Sequence, residues 1–131
     1  MAKFSNLICA EKTDTSSGDI VIEKPVTTII MDILPNNYSF FVSFSIVDIQ
    51  GELTNESYIN VSLTPEGEEP IATIEMGMPR PYDSENDEIV DSLTGNLMLN
   101  NVKFNSPGLY TLTISSDLCE SASTYFSVRV K

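Results

Sequence analysis

Residues 38–49, YSFFVSFSIVDI, form the longest apolar segment of the chain, and their side chains divide at a period of two. Phe40, Val42, Phe44 and Ile46, with Asp48 or its neighbours, fall on one face, while Phe41, Ser43, Ser45, Val47 and Ile49 take the other. A segment with apolar residues on both faces has to be covered on both, so we read 38–49 as a central strand. No other stretch has a convincing helical period, and the fold has to be sought among all-β architectures.

The rest of the chain follows the same alternation, punctuated by turn formers. KFSNLICA at 3–10 reads as a first strand, the polar Glu11–Asp19 as a turn that Gly18 closes, and IVIE at 20–23 as the return. Pro25 interrupts, and the β-branched run Val26–Leu34 reads as a further strand that Pro35 stops. SYINVSLTP at 57–65 puts Tyr58, Asn60 and Ser62 on a wet face and Ile59, Val61 and Leu63 on a dry one. It is expected to pair with 38–49 as a hairpin. PEGEEP at 65–70 is a turn, 71–79 a strand, and 80–95 a long polar excursion. Strand pattern resumes at 97–104, 109–117 and 123–131.

At 131 residues the chain is expected to be one domain, with 41% hydrophobic and 20% charged residues sufficient for an ordinary core. The opening MAKFSNLICAEK has an apolar run too short for the central region of a signal peptide, and no apolar stretch is long enough for a membrane-spanning helix. These features favour a cytoplasmic protein without membrane association. In that compartment Cys9 and Cys119 are expected as thiols rather than as a disulfide.

Near the end of the chain, Pro107-Gly108-Leu109-Tyr110 introduces an alternating strand, a turn around Asp117 and a last strand closing on Phe126-Ser127-Val128-Arg129-Val130. This hairpin resembles the terminal hairpin of immunoglobulin-like sandwiches, with Tyr110 at the position of their tyrosine corner. The wider layout, with NLICAEK, a turn, IVIE, a strand up to Pro35 and the long strand after it, resembles a family of small bacterial and phage domains of unknown function. The resemblance implies a single antiparallel immunoglobulin-like β-sandwich of about seven to nine strands over residues 1–131. It brings no catalytic residues with it. The Cys-Trp-Cys core of antibody domains is absent, since the chain has no Trp.

Little in the sequence points to chemistry. With no histidine, Ser-His and Cys-His nucleophiles and the commonest zinc ligand are missing, and two isolated cysteines do not make a four-ligand zinc site. Neither a GxGxxG nor a GxxxxGK[ST] motif occurs. Asp83-Ser84-Glu85-Asn86-Asp87-Glu88 superficially resembles a calcium loop, but its sixth position is not Gly and its twelfth is Thr94 rather than Glu. Its default reading is a solvated acidic loop. Paired carboxylates of a glycosidase kind are disfavoured, and no catalytic residue, cofactor or metal is expected.

Charge is the informative feature. Nineteen acids against seven bases give a net charge of −12, which repels nucleic acid and anionic lipid. Solubility accounts for such a balance, and so does attraction to a basic protein surface. Nine of the acids, Glu66, Glu68, Glu69, Glu75, Asp83, Glu85, Asp87, Glu88 and Asp91, lie between 66 and 91 with only Arg80 among them. Met76, Met78, Pro79, Pro81 and Tyr82 add adaptable apolar contacts, unless the methionines belong to the core.

The expected function is therefore a non-enzymatic acidic module that binds a protein partner through residues 66–91. Its contact residues are Glu66, Glu68, Glu69, Tyr82, Asp83, Glu85, Asp87, Glu88 and Asp91. One alternative narrows this to a phage or mobile-element inhibitor, of anti-CRISPR or anti-restriction type, that imitates nucleic-acid charge to block a basic nucleic-acid-binding enzyme. Another is a structural or virion assembly protein that uses sheet edges.

Overall fold

Alternating residues become strands throughout the computed structural model of the chain, which describes residues 1–14, 16–17, 20–49, 57–77, 82–83, 88–89 and 92–131. In chain order the strands are β1 (Ala2–Asp14), β2 (Val21–Pro25), β3 (Thr28–Met31), β4 (Asn36–Val47), β5 (Tyr58–Pro65) and β6 (Ala72–Gly77). They continue with β7 (Tyr82–Asp83), β8 (Glu88–Ile89), β9 (Leu93–Phe104), β10 (Gly108–Ser116) and β11 (Cys119–Val130). Among the described residues nine strands share one sheet, ordered β6-β5-β10-β11-β1-β4-β9, with β2 added to β1 and β3 to β11. The two-residue strands β7 and β8 pair separately.

The expected inward faces are the buried ones. Phe40, Val42, Phe44 and Ile46 of β4, and Ile59, Val61 and Leu63 of β5, are fully buried, while Tyr58 is 55% exposed. Tyr110, Leu112 and Ile114 of β10 and Phe126 and Val128 of β11 join the same core cluster. Ring contacts cross between strands that are not neighbours in the ladder. Phe40 on β4 meets Phe126 on β11 edge-to-face at 5.5 Å, and Phe104 on β9 meets Tyr110 on β10 at 5.1 Å. Contacts of this kind require the sheet to curl back on itself, and it forms a nearly closed layer around one apolar interior.

The sheet is mixed rather than purely antiparallel. β1 runs parallel to β11 at Ala2↔Cys119 and Lys3↔Glu120, and β3 runs parallel to β11 from Thr28↔Ser127 to Val130↔Met31. Strands β4 and β5 do not form a hairpin either, because β4 pairs with β1 and β9, whereas β5 pairs with β10 and β6. The connection between them thus crosses from one part of the sheet to another. Apolar alternation fixes which side chains face inward but is silent on which ladder they join.

Two local devices shape the ladders. Where Tyr38 pairs with Val102 and Phe40 with Leu99, the single residue Ser39 stands opposite Asn100 and Asn101, which is a β-bulge. The Ser39 hydroxyl donates to Asn100 Oδ1 at 2.9 Å and accepts from the Asn101 amide at 2.8 Å. Asn101 takes a φ of 52°, a left-handed conformation that asparagine tolerates. At the start of β10, the buried Tyr110 hydroxyl donates to the Ser106 carbonyl at 2.6 Å, closing the corner that leads into the strand. Among the described residues no helix is long and apolar enough to cross a membrane.

Candidate functional site

Acidic residues 66–69 sit in the turn between β5 and β6, which the ladder holds firmly. The Glu66 amide donates to the Leu109 carbonyl at 3.0 Å, the Glu68 amide donates to the Pro65 carbonyl at 3.1 Å, and Gly67 supplies the positive φ of 75° that the turn requires. Glu66, Glu68 and Glu69 are exposed, as is Glu75 on β6. Backbone pairing places Tyr82 opposite Ile89 and Asp83 opposite Glu88 in the short β7/β8 ladder. Glu85, Asp87 and Asp91 lie outside the described residues. The turn precedes β6 and the β7/β8 ladder follows it, so a six-residue strand, about 20 Å long, separates the two groups in sequence.

The neutralisation of charge is uneven over the surface. Lys3 pairs with Glu120, Lys12 with Glu23 and Lys24 with Glu11, all along β1 and its partners. No described residue forms an ion pair with Glu66, Glu68, Glu69 or Glu75, and residues 57–77 contain no Lys or Arg. Among the described residues these four exposed carboxylates thus have no cationic partner.

Beside the acids is a feature that sequence reasoning missed. Ile71, Ala72, Thr73 and Ile74 on the β6 side and Leu99, Asn100, Asn101, Val102 and Lys103 on β9 line a cleft of about 500 Å³. β6 and β9 are the two ends of the sheet order, so the cleft is the seam where the curled sheet stops short of closing. Residues thirty apart in sequence meet only through this curvature, and no local signal could have announced it.

Cys9 and Cys119 are both buried and are not joined by a disulfide. Burial pushes the Cys9 thiol up from 9.0 to about 12, so its nucleophilic thiolate is strongly disfavoured at neutral pH. The folded thiol keeps a proton that the unfolded chain gives up near pH 9, so its contribution to stability is complete below that pH and is lost as pH rises towards 12. Chemical denaturation between pH 8 and 11 should give wild-type protein a steeper alkaline loss of stability than Cys9→Ala. The difference should approach about 1.4 kcal/mol per pH unit. Parallel alkaline limbs would show that the buried thiol does not titrate in this way.

No protein-family model matches the chain, and no curated protein is significantly similar in sequence. Solved structures do resemble it in fold. A β-glucosidase from Listeria innocua in complex with glucose aligns with a TM-score of 0.50 at 13% identity over 98% of this chain. The same enzyme in complex with gluconolactone aligns with a TM-score of 0.50 at 14% identity. In both cases the chain spans 16% of the other protein's length. At such identity the likeness concerns the fold alone.

Proposed function

We propose that this chain is a non-enzymatic binding module that recognises a protein partner through its acidic region, residues 66–91. The observation that carries the reading is that Glu66, Glu68, Glu69 and Glu75 are exposed with no cationic partner among the described residues, beside a sheet whose other described acids are partly paired with lysines. Charge left exposed in this way steers a basic surface into contact and suppresses acidic partners. Tyr82, Asp83, Glu85, Asp87, Glu88 and Asp91 extend the same surface in this reading. A cytoplasmic setting belongs to it as well.

An immunoglobulin-like sandwich is the finer fold reading. Two features support it: the Tyr110 to Ser106 bond at the entrance of β10, and the chain's repeated crossing between the group β2-β1-β4-β9 and the group β3-β11-β10-β5-β6. The resemblance to small bacterial and phage domains favours a narrower form, in which the partner is a basic nucleic-acid-binding enzyme blocked by charge mimicry. Glucoside hydrolysis does not carry over from a likeness that covers a sixth of the glucosidase chain.

The test is affinity capture from host lysate with three baits: wild type, the Glu66→Lys, Glu68→Lys, Glu69→Lys variant, and the Glu85→Lys, Asp87→Lys, Glu88→Lys variant. A partner held by wild type, lost from either reversed bait and eluted by moderate salt is the expected outcome. A partner retained equally by all three baits would move recognition away from the acidic region. Because the turn acids are exposed and make no ion pair among the described residues, their reversal should leave the melting temperature within a few degrees of wild type.

A further inference from the structure

The geometry points to the outer edge of β6 as a strand-addition site for an extended segment of a partner protein, apolar at alternate positions and carrying Lys or Arg between them. Such a segment would seat in the cleft between β6 and β9. This inference rests on the binding-module reading and specifies its mode. One edge of β6 is occupied by β5, in an unbroken register from Leu63↔Ala72 to Tyr58↔Gly77. No described strand takes the other edge.

Exposed sheet edges are ordinarily blunted by lysine, proline, a bulge or short length. β9 carries such a device, the bulge at Asn100 and Asn101 with Ser39 stitched into it. β6 carries no bulge, no proline and no lysine over its six residues, ATIEMG. The two edges of the seam are thus unequal, and an incoming strand would find its ladder on β6 and its floor on β9.

Side-chain alternation on β6 suits that arrangement. Ala72, Ile74 and Met76 are half-buried against the core, while Thr73, Glu75 and Gly77 face out. A strand added beside them would lay alternate apolar residues over Ile74, Leu99 and Val102, where the cleft of about 500 Å³ has room for several side chains. Its intervening residues would lie near Glu75 and near the turn carrying Glu66, Glu68 and Glu69, all negative and with no ion-pair partner among the described residues. Complementarity selects cations at those positions.

The probe is a ten-residue blocked peptide alternating Val and Lys, with a Val and Glu peptide as control. Hydrogen exchange and binding would be followed on the full chain. The Val/Lys peptide should slow exchange of the amides of residues 72–77, and the Val/Glu peptide should not. Glu75→Lys should weaken binding roughly tenfold or more, whereas Asp117→Lys, an equal charge change on an exposed residue elsewhere, should alter it by about twofold at most.

Three results would overturn the proposal. One is binding with no added protection in 72–77. If that binding is still abolished by reversing Glu66, Glu68 and Glu69, the acidic surface stands as a binding site while strand addition falls. The second is full protection of the outer β6 amides in the free monomer, which would mean the chain covers its own edge. The third is concentration-dependent protection with dimer formation in the absence of peptide, which would assign the edge to a second copy.

Discussion

Replacing Phe126 by Ala should cost about 3–5 kcal/mol, a large share of the stability of a domain of this size. Phe126 is 2% exposed and is the ring through which non-adjacent strands meet. It touches Phe40 edge-to-face at 5.5 Å and Phe104 at 6.2 Å, and it stacks on Tyr110 at 6.0 Å. Truncation removes buried apolar area and leaves a cavity bounded by β4, β9 and β10, whose ladders prevent them from collapsing into it. Phe126→Leu, which keeps most of the volume, should recover more than half of the loss. Urea denaturation of the three proteins decides the matter, and an Ala variant within 1 kcal/mol of wild type would mean that the curled sheet is not held by this cluster.

Gly95→Val should be destabilising by about 1–3 kcal/mol or more, although valine is the better strand former. Gly95 stands opposite Phe44 in the β4/β9 ladder, and the Phe44 ring lies across it. A Cβ at position 95 would fall 2.3 Å from Phe44 Cζ and 2.9 Å from both Cε atoms. The ring has no room to withdraw, being fully buried and in edge-to-face contact with Phe4 at 5.9 Å. The missing side chain at Gly95 is therefore the space that Phe44 occupies, an aromatic ring covering a strand glycine. Shortening the ring with Phe44→Leu should lower the additional cost of Gly95→Val, giving a coupling of about 0.5–3 kcal/mol in a double-mutant cycle. Strict additivity would disprove the steric account.

Gly95 also marks where sequence reading ran short. The polar excursion was expected to extend to residue 95, yet β9 begins at Leu93, because Leu93, Thr94 and Gly95 pair with Ile46, Ser45 and Phe44. A glycine and a threonine look like loop until the ring that covers them is known. At the other end of the chain, β1 extends through Asp14, beyond the expected stop at residue 10, because Lys12, Thr13 and Asp14 pair with Glu23, Ile22 and Val21. The β1 side of that hairpin, Glu11-Lys12-Thr13-Asp14, is polar, and a hydrophobic pattern has nothing to register there. Conversely, the run 26–34 is rich in β-branched and apolar residues, yet only Thr28–Met31 forms a strand, since only these residues pair with β11.

Where one face was wet and the other dry, as in β5 and β10, the inward residues were legible one by one. Partnerships were not, because pairing depends on how the whole sheet curls. The same limit applied to the site. The acids of 66–69 could be read as an exposed turn directly from PEGEEP, but the cleft beside them exists only because β6 and β9 approach from opposite ends of the sheet order.

That order also governs how the protein can be made. β10 and β11, residues 108–130, occupy the middle of the sheet, with β5 and β6 on one side and β1, β4 and β9 on the other. Before they emerge from a ribosome, the nascent chain holds two unconnected fragments of ladder, each with an apolar face and no interior to place it in. Ala2 finds its partner only when Cys119 has been synthesised. Folding is thereby deferred until residues 108–130 have been made and then proceeds through long-range closure, the slow regime for a β protein. Until that moment, protection of the growing chain falls to whatever chaperone meets it.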